Sequence, residues 1–298
     1  MKVLVTGSSG LVGSVVVGAL DKSGQQVLRL VRAKPSTANE IHWSPAEGRL
    51  DPAALEGLDG VVHLAGENIT GRWTAAKKAR IRDSRVNGTQ LLAGAVARLA
   101  RPPKVLVCAS AIGYYGDRSD EVLREDSPPG KGFLADVCQE WEAAARPAAE
   151  KGIRVVHLRI GVVLSPAGGA LAKMLTPFKL GLGGKIGSGN QYMSWIAIDD
   201  LVGVIQHALA TDALRAPVNA VAPRPVTNRE FTKTLGRVLG RPTIFPMPAF
   251  AARLAFGEMA DELLLASARV EPVRLAASGY RFQMPELDAA LRHLLGKT

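Results

Sequence analysis

The sequence predicts an α/β protein, a doubly wound parallel sheet with a smaller C-terminal α+β region serving as a substrate or cap region. Short apolar, β-branched runs alternate with longer segments of helical spacing through the first half of the chain. The first run ends in a glycine-rich turn that opens a helix. Beyond about Ser165 this alternation gives way to glycine-rich loops and shorter helical segments.

Residues 2–6 (KVLVT) form an apolar run bounded by Gly7, as a buried parallel strand requires. Helical spacing follows at Leu11, Val15, Ala19 and Leu20, stopped by Ser23-Gly24. Residues 26–31, 60–65, 104–109 and 153–160 read as further strands, and residues 75–100 and 134–151 as helices between them. In the second half, 199–210, 227–239, 249–256, 258–267 and 285–295 read as helices and 218–221 as a strand. Thr227 with Glu230 three residues on has the pattern of a capping box. The expected division is 1–164 for the first unit and 165–298 for the cap region, partly returning to the main sheet.

The chain has 298 residues, 47% of them hydrophobic, enough for a sizeable core. No window holds the roughly 18 consecutive apolar residues of a membrane span, and the N-terminal apolar run is too short for a secretory signal. Cys108 and Cys138 cannot build a disulfide framework, so buried thiols in a reducing cytoplasm are expected. The net charge of +10 is spread along the chain, densest at Lys77, Lys78, Arg80, Arg82 and Arg85 on one helix. No zinc-finger or RNP-like pattern accompanies it, so a solvated helix face with one or two cofactor-facing arginines is expected, not nucleic-acid binding. The five histidines lack metal spacing, and no metal site is expected.

Thr6-Gly7-Ser8-Ser9-Gly10-Leu11-Val12-Gly13 lies between a strand and a helix, the context that gives a G-x-x-G-x-x-G run meaning. Gly7 permits the tight turn, Gly10 lets backbone approach a pyrophosphate, and Gly13 lets helix pack on sheet; this is the Rossmann dinucleotide-binding arrangement. Ser9, Leu11 and Val12 join the glycines as candidate phosphate-binding residues, because free N–H groups and positive dipole gather there. NAD-preferring sites place an acid at the end of the second strand. Here that strand ends in Val31-Arg32, and a guanidinium there suits a 2′-phosphate, so the expected cofactor is NADP(H).

The N-terminal motif resembles that of extended short-chain dehydrogenases/reductases and nucleoside-sugar epimerases. His63-Leu64-Ala65-Gly66 matches their adenine–ribose segment, Asn87-Gly88-Thr89 with Leu91-Leu92 a shortened form of their N-x-x-G-T-x-x-L-L helix, and Ser110 their catalytic Ser or Thr. LAGENI, SAIGYYG, FLADVCQEWE, GSGNQYMSWI and GEMADELLL together resemble one atypical, epimerase-like branch with a C-terminal domain of unknown function. The resemblance implies Leu64, Ala65 and Gly66 at the cofactor, and an oxidoreductase or epimerase acting on a carbonyl or sugar-like substrate. Glu67, directly after that strand, can touch the cofactor ribose or the substrate, or form a simple turn; Arg85, aligned with the family's S-R element, can reach a cofactor phosphate or ribose, or lie on the surface.

One part of the resemblance fails. Where standard members carry Tyr-x-x-x-Lys, this chain reads Phe133-Leu134-Ala135-Asp136-Val137, and no such pair occurs elsewhere. Val137 takes the place of the lysine that holds the nicotinamide ribose and is a candidate cofactor neighbour on that ground alone. Ser110 and Tyr114 are the candidate catalytic residues, as substrate-oxygen contact and proton donor; a capping hydroxyl and loop packing are their bland alternatives. For Arg159-Ile160-Gly161 the resemblance implies backbone contacts, so side-chain identity carries little. Gln191 and Trp195 can line a pocket, and Trp195 can equally pack in a core. Two functions stay open: an enzyme with a non-standard acid/base, or a cofactor-binding sensor or interaction protein without catalysis. The expected partner is a small molecule, not nucleic acid or membrane, with the chain a monomer or homodimer.

Overall fold

The computed structural model describes residues 1–297. Its strands, in chain order, are β1 (Lys2–Thr6), β2 (Gln26–Val31), β3 (Glu40–Ser44), β4 (Arg49–Leu50), β5 (Gly60–His63), β6 (Val105–Ala111), β7 (Val122–Leu123), β8 (Arg154–Ile160), β9 (Val162–Leu164), β10 (Tyr192–Met193), β11 (Trp195–Ala197), β12 (Ala216–Ala220), β13 (Val226–Thr227) and β14 (Arg269–Val270). Its helices are α1 (Leu11–Lys22), α2 (Ala75–Ala97), α3 (Phe133–Ala143), α4 (Arg146–Glu150), α5 (Gly169–Lys179), α6 (Ile198–Ala210), α7 (Asn228–Leu239), α8 (Ala249–Phe256), α9 (Val273–Ala277) and α10 (Leu287–Leu294).

Eight strands form the main sheet in the order β12-β8-β6-β5-β1-β2-β3-β4. Every neighbouring pair is parallel except β3 with β4. The chain builds outward from β1 through β2 and β3, then returns to the other side of β1 with β5, β6, β8 and β12. The reversal between β1 and β5 is the switch point at whose carboxyl ends doubly wound sheets take ligands.

Period-two alternation in β1 explains the layering. Val3 and Val5 face a core with Val16 and Leu20 of α1 and Val204 and Ile205 of α6. Leu4 faces the opposite core, with Leu92 and Val96 of α2 and Ala148 of α4. A third core gathers Trp195, Phe231, Leu235 and Leu291 in the C-terminal region. The capping box at Thr227 forms as its spacing predicts: Thr227 Oγ1 accepts from the Glu230 amide, and the Glu230 carboxylate accepts from the Thr227 amide. Cys108 and Cys138 are buried and unbridged, and burial pushes both thiols up to about 12.

Three expectations are corrected. The helix over 134–151 is two helices: Pro147, lacking an N–H, sits at the start of α4 after the break. The helix expected over 258–267 ends at Leu265 and is π-helical over Ala260–Leu265, after Gly257 at φ 63°. Strand β3 was not expected, because its EIHWS run is short and largely polar; Trp43 alone is deeply buried.

Candidate active site at the switch point

The turn leaving β1 is built for close approach. Gly7 has φ +66°, and a Cβ there would lie 2.8 Å from the carbonyl carbon and oxygen of Leu64. A Cβ on Gly13 would lie 2.1 Å from the Gly7 oxygen. The Gly10 amide donates to that same oxygen at 2.9 Å, closing the turn. Helix α1 then starts at Leu11 with no side-chain cap. The amides of Leu11, Val12 and Gly13 are therefore first-turn donors that helix geometry leaves without an intrahelical partner, and Ser9 is exposed beside them. A glycine cradle that any Cβ would fill, ending on an uncapped helix, fits a dinucleotide's pyrophosphate.

A buried polar chain fixes the neighbouring strand end. Thr6 Oγ1 accepts from the amides of Leu64 and Ala65, both at 3.1 Å, and lies 2.7 Å from His63 Nδ1. With those lone pairs used, the Thr6 hydroxyl donates to Nδ1, so the His63 proton sits on Nε2 and goes to Thr89 Oγ1 at 3.0 Å. Trp141 Nε1 donates to the same oxygen at 2.9 Å. Burial holds the neutral imidazole down to about 4. His63 is thus a satisfied structural group that ties β1 to β5.

The loop after β5 rests on α2. The Glu67 amide donates to Ser84 Oγ at 2.9 Å, and Arg85 Nη1 donates to the Glu67 carbonyl at 3.0 Å. Arg85 also lies beneath Gly66 and over the Trp141 ring, so it acts first as a brace for this loop. The Glu67 carboxylate pairs with Lys77 Nζ at 2.7 Å and lies 3.7 Å from Arg80 Nε. The Lys77 hydrogen bond, with the charges of Lys77, Arg80 and Arg32, holds its pKa below the usual range. Val31 is half-buried at the end of β2; Arg32 is exposed and has no ion pair among the described residues. The structure therefore brings Gly7, Ser9, Gly10, Leu11, Val12, Gly13, Leu64, Ala65, Gly66 and Glu67 to one pair of strand ends, with Val31 and Arg32 on the next strand.

The ends of β6 and β8 are different. Ser110 is 3% exposed, and its hydroxyl donates to Glu142 Oε1 at 2.7 Å. Arg159 grips the same carboxylate with Nε at 2.8 Å and Nη2 at 2.9 Å. Its Nη1 donates to Tyr115 Oη at 3.0 Å and to the Glu125 carbonyl at 3.2 Å. The Tyr115 hydroxyl lies 2.7 Å from Asn219 Oδ1. Burial opposes the charge on Arg159, but the Glu142 carboxylate outweighs it and raises the pKa above the ordinary arginine value. The Arg159 guanidinium carbon stands 3.4 Å from the centre of the half-buried Tyr114 ring.

At the start of α3, Phe133 packs edge-on against Trp73 at 5.3 Å between ring centres. Its amide and that of Leu134 donate to the Glu262 carboxylate, from the π-helical turn, at 3.3 and 3.2 Å. Val137 is 2% exposed inside α3, so its side chain presents almost no free surface. Trp195 is fully buried, and Gln191 donates to the Ile186 and Leu264 carbonyls, so both serve packing. Contrary to expectation, the Arg159 side chain matters: it is the hub of the buried network. Glu142, Glu125, Asn219 and Glu262 were missed. One signal was available: an arginine inside a strand as apolar as β8 must find a buried acid. Which acid it finds depends on tertiary contact.

The family's sequence pattern matches here over residues 3–220, and that match spans the sheet and the whole site. The chain belongs to the NAD dependent epimerase/dehydratase family. Residues 247–294 match a domain of unknown function, DUF1731. Among relatives in this family, Epimerase family protein Mb2239 of Mycobacterium bovis is 48% identical over 97% of this chain and 96% of that protein. The human epimerase family protein SDR39U1, solved in crystals with NADPH, superposes with a TM-score of 0.91 at 38% identity, covering 100% of both chains. A nucleoside-diphosphate sugar epimerase from Corynebacterium glutamicum superposes with a TM-score of 0.83 at 39% identity, over 99% of this chain and 58% of that one. Among the described residues no helix is long and apolar enough to cross a membrane, and no cluster of three metal-ligating side chains occurs.

Proposed function

We propose that this epimerase-family protein is an NADP(H)-dependent oxidoreductase or epimerase for a carbonyl or sugar-like substrate. The cofactor preference rests on Arg32, which follows β2 where NAD-preferring sites carry an acid, and on the NADPH held by the human relative. The observation that carries the reading is the glycine cradle at the switch point, closed to any Cβ and ending on uncapped amides. Amides of the first turn of α1 bind the pyrophosphate, while Leu64, Ala65 and Gly66 receive the adenosine half. Bound NADP(H) supplies reversible two-electron transfer to a carbon that bears oxygen.

The chain itself must handle the accompanying proton without a Tyr-x-x-x-Lys pair. Tyr114 stands at the exit of β6 with its ring stacked on Arg159, and its hydroxyl has no hydrogen bond among the described residues. It is the group free to meet a substrate oxygen. Ser110 acts beside it, its own proton held by Glu142. NADPH oxidation across a panel of aldehydes, ketones and nucleotide sugars tests this. Turnover with any of them, lost in a Ser110→Ala, Tyr114→Phe double variant that still binds NADPH, supports the enzyme. Tight NADPH binding with no turnover on the whole panel would overturn catalysis and leave a cofactor-binding sensor.

A further inference from the structure

The densest run of positive charge in the chain, on the first half of α2, is divided between two faces of that helix. Lys78 pairs with Glu258 and Arg82 with Glu140 on one side. Lys77, Arg80, Ser84 and Arg85 recur at helical spacing on the side that braces the loop after β5. The first two converge on one carboxylate, Glu67, which also feels the charge of Arg32 from the end of β2. Three cations from two elements thus gather around one acid, beside the strand ends assigned to the adenosine half of the cofactor. One carboxylate offsets one of those charges. A basic excess remains, and Arg80 keeps 60% of its side chain exposed.

We infer that Lys77 and Arg80 join Arg32 in binding the cofactor's 2′-phosphate, with Glu67 as the acid that holds the two α2 cations ready. A phosphate monoester carries up to two negative charges and three acceptor oxygens, so it can draw on several cations at once. A ribose hydroxyl gives the same cations nothing to neutralise. The cluster therefore discriminates NADPH from NADH, and Arg32 alone does not set the preference. This inference rests on the cofactor reading above and adds residues from α2 to it.

Calorimetric titration of purified wild type, Arg32→Asp, Arg80→Met and Lys77→Met with NADPH and NADH tests it. Adenosine 2′,5′-bisphosphate and 5′-AMP serve as minimal probes of the phosphate alone. Arg80→Met and Lys77→Met are each expected to weaken NADPH and the bisphosphate about tenfold, leaving NADH and 5′-AMP unchanged. Should Lys77→Met fold poorly, Lys77→Arg is expected to fold and keep the preference, and Arg80→Met decides the matter. If only Arg32→Asp lowers the NADPH preference, the α2 cluster is not part of the phosphate site, while the cofactor reading stands. If wild type binds neither nucleotide, the cofactor reading itself fails.

Discussion

The two ends of the site crevice are built on opposite principles. At β1 and β5 the backbone supplies the binding groups: glycines clear space, and the uncapped start of α1 presents amides to whatever enters. At β6 and β8 side chains supply nearly everything, and they satisfy one another. Ser110, Glu142, Arg159, Tyr115 and Asn219 form one connected network with little solvent contact. The first end is open and preorganised for a ligand of fixed shape. The second holds a buried ion pair, Arg159 with Glu142, with the half-buried Tyr114 ring stacked on the arginine.

The largest effect should come from Gly13→Val. Its Cβ would overlap the Gly7 oxygen, 2.1 Å away, and the turn has only backbone there to yield. NADPH binding by calorimetry should be lost, with a fall in the thermal midpoint; retained affinity would break the backbone half of the contrast. Next, Glu142→Leu strips Arg159 of its buried bidentate partner. Denaturant unfolding should show a loss of roughly 3–5 kcal/mol, the cost of leaving a buried charge unpaired. An unchanged midpoint would mean that the network is not what holds this end together.

His63 sharpens the comparison through pH. Its folded pKa, about 4, lies below the unfolded 6.5, so the unfolded chain binds more protons between these values. The stability it contributes is complete above about pH 6.5 and is lost as pH falls toward 4, by up to roughly 3 kcal/mol. His157, also pushed down by burial, adds in the same direction. Unfolding curves of His63→Gln should lose part of this slope; a slope identical to wild type would place the titration elsewhere. The smallest effect is at the exposed Arg32. Arg32→Asp should weaken NADPH relative to NADH by roughly 1–3 kcal/mol, read as a ratio of dissociation constants.

The same contrast explains how far the sequence could be read. The glycine turn is local: strand, Gly7, Gly10, Gly13 and helix follow within a dozen residues, and backbone sterics dictate each one. Alternating β-branched runs revealed the parallel sheet, because strands buried on both faces must be apolar throughout. Strand β3 escaped notice because its run is short and largely polar, lying beside the two-residue edge strand β4. The Ser110 network escaped because its members come from positions 110, 115, 142, 159 and 219 and meet only through folding. Glu262 is the extreme case, an acid capping α3 from 128 residues away in sequence.

The account depends most on amides of the first turn of α1 holding a nicotinamide dinucleotide phosphate. Calorimetric titration of the full chain with NADPH and with NADH addresses that directly. Saturable one-site binding of NADPH, tighter than that of NADH, is the predicted result. No heat from either nucleotide, at protein concentrations where a micromolar site would be saturated, would contradict it.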